Sequence, residues 1–81
     1  MTFGGMKIGE LARVVPITDY PGIGMVVKAW DTCPDQYGFH KVVWVGPILA
    51  LLLEHRDVYW RILVPDGGAV WVEHYRVKDI E

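Results

Sequence analysis

The sequence predicts an all-β domain, a small and strongly bent barrel of five or six strands. Three observations predict it. Apolar and polar residues alternate with a period of two in short runs, most clearly in VYWRILV. Stretches rich in Pro, Gly and Asp separate those runs. Sequence that favours helix is confined to one short segment. At 81 residues a two-sheet sandwich would be cramped, whereas a barrel removes most exposed sheet edges by closing on itself.

Residues 1–6, with Gly4 and Gly5, read as a flexible lead to a single domain spanning 7–81. KIGELARVV forms the first predicted strand; both of its faces carry apolar residues, as a curled sheet requires. PITDYPGIG is a loop, because two prolines and two glycines interrupt any regular ladder. GMVVKAW is the second strand, DTCPDQYG a second loop, and FHKVVWV a third strand rich in β-branched and aromatic residues. ILALLLEHRD is too short and too uniformly apolar for its periodicity to decide; Leu, Ala and a leading Pro47 tilt it towards a helical turn or loop rather than a strand. VYWRILV and AVWVE are predicted to pair across Asp66-Gly67-Gly68, since Asp-Gly between two strand-like runs supplies a hairpin turn. HYR reads as one helical turn and VKDIE as a short last strand. The expected interior includes Leu11, Val26, Val43, Ile62 and Val72, with each strand's facing open to a slip of one residue.

Composition removes several classes of function. The chain has neither Ser nor Asn, so a serine triad and an Asn oxyanion donor are both impossible. One cysteine, Cys33, can form neither an internal disulfide nor a multi-cysteine zinc site. A net charge of −2 runs against general nucleic-acid binding. The longest apolar run, ILALLL, is far below the ~20 residues of a membrane span, and no signal peptide is recognisable. The expectation is a soluble protein that is neither secreted nor transmembrane.

In its order of features the chain resembles the Src-homology-3-like (SH3-like) small barrels. KIGELARVV is similar to their opening strand and GIGMVVKAW to their second. YWRILVPDGGAVWVEHYRVKDIE resembles their closing half: a hairpin with an Asp-Gly turn, a tryptophan after it, one helical turn and a last strand. In particular the chain is similar to short barrels of this type encoded by tailed bacteriophages. The likeness covers about residues 7–30 and 57–81, and implies that 31–56 is an inserted hairpin or loop. It also implies a virion subunit in the capsid, neck or tail, located in the virion or the host cytoplasm. Nucleic-acid-associated barrels and small transcription or host-takeover regulators share the fold and supply the alternative reading.

No catalytic constellation is visible. His40, His55 and His74 are scattered without metal-ligand spacing, and ordinary surface or half-buried histidines account for them. Cys33 lies between Asp31 and Asp35, the wrong charge to activate a thiolate. The string HRD echoes a kinase loop in a chain far too short to be a kinase. The glycines of PGIG and DGG are turn glycines rather than a phosphate cradle. No enzyme activity, cofactor, metal or small-molecule substrate is therefore expected.

What remains is association. Four tryptophans exceed what so small a domain can bury, and exposed Trp and Tyr anchor binding surfaces. The run from Ile48 to Leu53 is either core or a sticky patch awaiting a partner. Candidate interface residues are Ile48, Leu49, Leu51, Leu52 and Leu53, with Trp44 and Tyr37. The partners expected are proteins: other virion subunits, or further copies of this chain.

Overall fold

The computed structural model describes residues 6–16, 26–35, 37–66 and 68–80. Among them are seven strands: β1 (Leu11–Val14), β2 (Val27–Trp30), β3 (Val42–Val45), β4 (Ile48–Arg56), β5 (Tyr59–Leu63), β6 (Ala69–Glu73) and β7 (Val77–Lys78). A single 3-10 turn, His74–Arg76, joins β6 to β7, and no α-helix occurs among the described residues. The strands form one antiparallel sheet in the order β3-β2-β6-β5-β4-β1-β7.

The sheet curls. Laid flat, its outermost strands would stand about 29 Å apart, six spacings of ~4.8 Å. Yet Val77 of β7 and, at the opposite edge, Val43 and Val45 of β3 pack on the same buried cluster. That cluster also holds Ala12, Val14, Val27, Ala29, Ala50, Leu52, Trp60, Ile62, Val64 and Val72. Trp60 and Leu52 supply its bulk. The small residues permit the curl, and Ala12 and Ala50 face each other directly across β1 and β4.

The all-β class holds, but the closed barrel of five or six strands does not. Among the described residues, β3 and β7 are outer strands that do not pair with each other, so the sheet stays open. The stretch expected as a helical turn or loop is β4, the longest strand, with nine residues. Pairing with β1 on one side and β5 on the other gives its backbone more partners than an isolated helical turn could, and this overrides the helix propensity of Leu and Ala. Residues 48–56 accordingly lie inside the sheet, between β1 and β5.

Two expected core residues are misplaced by one register. Leu11 and Val26 are exposed, while Ala12, Val14, Val27 and Ala29 face inward. Ile62 and Val72 are fully buried, and Val43 packs against the cluster half-buried. The β5–β6 hairpin forms as expected, pairing Leu63 with Ala69. Its turn is closed by a bond from Val64 N–H to the Gly68 carbonyl at 2.9 Å, and Asp66 Oδ1 accepts the Gly68 N–H at 3.0 Å. Gly67, residues 1–5 of the expected lead, residues 17–24 of the first loop and Met25 of the expected second strand lie outside the described residues. Met6, expected within that lead, packs half-buried against the core.

Candidate interaction surface

Strand alternation divides the leucine run. Ala50 and Leu52 point into the core, and Leu49 and Leu51 point to the opposite, outer face. There the pairing register aligns Leu11 of β1, Leu51 of β4 and Leu63 of β5 in one cross-strand row. Leu11 and Leu49 are each 56% exposed and Leu63 is 38% exposed, with Leu51 half-buried between its neighbours. Leu49 faces Arg13, whose Nε donates to the Asp79 carbonyl at 3.3 Å. Beside Leu49 an open, mostly apolar cleft of about 310 Å³ runs between Arg13, Val14 and Val15 on one side and Pro47 and Ile48 on the other.

At Leu53 the β4–β5 register shifts, a β-bulge. Beyond it the outer face changes character. Glu54 faces Arg61 and Arg56 faces Tyr59 across the β4–β5 pair. Glu54 holds Arg56 in an ion pair of 2.7 Å and lies 4.0 Å from Arg61. The Arg56 guanidinium stands 5.0 Å from the centre of the Trp71 ring, and Trp71 is buried although it belongs to the side opposite the core. Its cross-strand neighbour Trp30 meets Tyr59 edge-to-face at 5.8 Å and carries the Lys28 ammonium at 5.4 Å. Such cation–ring contacts are worth about 0.5–1 kcal/mol at exposed sites, so this half of the face consumes its own charges and aromatics.

The sequence-predicted interface residues therefore separate. Leu49 and Leu51 reach the outer face and are joined there by Leu11, which the sequence assigned to the interior, and by Leu63, which it did not name as an interface residue. Leu52 is core, fully buried, because its strand position faces inward. Ile48 lines the cleft half-buried and Leu53 is half-buried at the bulge. Trp44 is 62% exposed on β3, four strand positions from β4, and Tyr37 is fully exposed in the β2–β3 loop beside Gly38 and Phe39. Neither residue belongs to the leucine row. The alternation of VYWRILV already put Leu63 on the outer side; what no local pattern reveals is that Leu51 and Leu11 stand beside it.

The remaining candidates have structural surroundings. Cys33 is buried, and burial, followed by its hydrogen bond with Asp35, pushes its thiol pKa up, away from a reactive thiolate. The Thr32 hydroxyl meets His40 Nδ1 at 2.8 Å, and Asp31 Oδ1 accepts the Lys41 N–H at 2.9 Å, which ties off the β2–β3 loop. His55 packs edge-to-face on Trp60 at 4.6 Å. Among the described residues no three His, Cys, Asp or Glu side chains gather in metal-binding geometry, and no helix is long and apolar enough to cross a membrane. Compared with protein-family models, curated proteins and solved structures, the chain shows no significant match in any of the three.

Proposed function

We propose that the chain is a non-enzymatic interaction module that docks onto a protein partner through the leucine row of its outer face. The observation that carries this reading is the alignment of Leu11, Leu51 and Leu63 across three strands, with Leu49 beside them, on the side facing away from the core. A contiguous apolar patch in water favours association, and a protein surface is the natural cover for it. The row is flanked by Arg13 and Lys78, which face each other on β1 and β7 and suit a polar rim. The resemblance to barrels of tailed bacteriophages extends the reading to a virion subunit of the capsid, neck or tail. A Src-homology-3-like relationship is supported by the closing half, where the β5–β6 hairpin, a 3-10 turn and a last strand returning to β1 follow in the order that the resemblance implies.

The test is co-expression of the chain with the proteins encoded by the genes beside its own, followed by purification and mass measurement. The wild type should co-purify with one partner in fixed stoichiometry. The double variant Leu11→Glu, Leu49→Glu should stay folded by circular dichroism, since both side chains are more than half exposed, and should lose that partner. Retention of the partner by the folded variant would sink the reading, and so would the absence of any stoichiometric partner.

A further inference from the structure

The two outer strands of the sheet are unlike each other. β7 has two residues, ends in Lys78, and is crossed by the Arg13 side chain reaching the Asp79 carbonyl. Short length and charge are the usual ways of blunting an edge. β3 has four residues, VVWV, with no charge and no proline. It pairs with β2 on one side and stands at the end of the strand order, with no further strand beside it among the described residues.

The direction of its free backbone groups follows from one hydrogen bond. In an antiparallel ladder, opposed residues alternate between pairs that exchange N–H···O=C bonds and pairs that do not. Asp31 N–H donates to the Lys41 carbonyl at 3.1 Å, so the pair 31/41 is of the bonded kind. The pairs Ala29/Val43 and Val27/Val45 are then also bonded, and the backbone groups of Val42 and Trp44 point away from β2. The same alternation turns Trp30 away from β3 and towards β6, where it pairs with Trp71. The edge thus presents N–H and C=O at two alternate residues, whose side chains lie exposed on the outer face.

We propose that β3 pairs with β3 of a second copy, antiparallel and about a two-fold axis midway between the two Val43 residues. In that register Val42 stands opposite Trp44 of the other copy, and Trp44 opposite its Val42. Each outward N–H then meets an outward C=O, giving four backbone bonds confined to the strand. On the outer face each Trp44 packs against a Val42, the β-branched and aromatic combination that stabilises cross-strand pairs. Lys41 falls opposite Val45, so no like charges meet. The edge is its own complement in hydrogen-bonding polarity and in side chains, as a two-fold interface requires. This inference concerns a different surface from the leucine row and stands or falls separately.

The experiment is solution mass by light scattering and sedimentation equilibrium from micromolar to about 1 mM. The wild type should pass from 9.2 kDa to twice that mass with rising concentration. Val42→Pro deletes an outward N–H without touching a β2 bond, and proline is tolerated at such edge positions. It removes two of the four intermolecular bonds and should weaken the dimer at least about 10-fold. Trp44→Lys keeps every backbone group, adds charge to the edge and should also leave a monomer; it decides the matter should the proline variant unfold. A wild type that stays monomeric at 1 mM overturns the proposal, even if it binds an extended peptide of another protein. A dimer that persists in the folded variants overturns it as well. The Leu11→Glu, Leu49→Glu protein should dimerise normally, which separates this outcome from that of the leucine row.

Discussion

Leu52 and Leu49 are three residues apart in one apolar run, yet the structure assigns them opposite fates, and mutation can measure the difference. Leu52 is fully buried among core side chains and lies opposite Ile62, whereas Leu49 is more than half exposed. Truncating a buried leucine to alanine costs about 2–5 kcal/mol, from lost transfer free energy and the cavity left behind. A surface truncation stays within about 0.5 kcal/mol. The whole domain is expected to be stable by only about 4–12 kcal/mol at 81 residues, so Leu52→Ala removes a large share. In urea, with a slope near 1 kcal/mol/M for so small a protein, its midpoint should fall by about 2 M or more, against about 0.5 M or less for Leu49→Ala. Tryptophan fluorescence and far-ultraviolet circular dichroism should follow the same transition. If Leu52→Ala is too unstable to titrate, Leu52→Val carries the same contrast at about 1 kcal/mol. Equal costs at the two positions, or a larger cost at Leu49, would refute the β4 register and with it the leucine row.

Two further outcomes follow from the β4–β5 turn and the histidine packed beside it. Asp57 adopts a left-handed φ of 55°, which a β-branched side chain resists, so Asp57→Val should lower the melting temperature by roughly 5 °C, corresponding to about 1 kcal/mol. Thermal unfolding checks this, and an unchanged midpoint would count against the turn geometry. The His55 pKa lies below its ordinary 6.5, chiefly because burial disfavours the imidazolium, with His74 adding to the effect and Asp57 opposing it. Between the lowered folded value and 6.5 the unfolded chain therefore binds more protons, so stability falls as the pH drops through that window and gains nothing from this group above it. Melting temperatures of wild type and His55→Gln between pH 7.5 and 5 should diverge only on the acidic side; parallel curves would exclude His55 as the source.

Much of the fold was legible because local signals and tertiary demands agree there. The alternation of VYWRILV, its pairing with AVWVE and the single turn at HYR each appear where the sequence puts them. Legibility failed where hydrophobicity misleads about facing. Leu11 and Val26 are more apolar than Ala12 and Ala29, but the alanines face inward, because a tightly curled sheet already holding Trp60 and Leu52 has room for methyl groups at those positions. The leucine row was illegible for a different reason. Its members come from three strands, and only the long-range pairing of β1 with β4, which sets Leu11 opposite Leu51, and the shifted register of the β4–β5 pair, which sets Leu51 opposite Leu63, make a surface of them.

The bulge at Leu53 connects the chemistry of the run to the two characters of the outer face. An uninterrupted alternation from Leu52 inward would send Leu53 out, Glu54 in, His55 out and Arg56 in. That would aim a carboxylate and a guanidinium at a core whose described members are apolar, at a desolvation penalty of several kcal/mol for each ion. One extra residue resets the parity: Glu54 and Arg56 turn outward opposite Arg61 and Tyr59, and His55 turns inward opposite Trp60. With Ala50 and Leu52 facing inward, Glu-His-Arg cannot continue the same period of two without burying both charges, so this register demands an irregularity near this point. The reset also fixes where the apolar surface ends. On the Leu51 side the outer face carries the leucine row, and on the Glu54 side its residues close into ion pairs over Trp71.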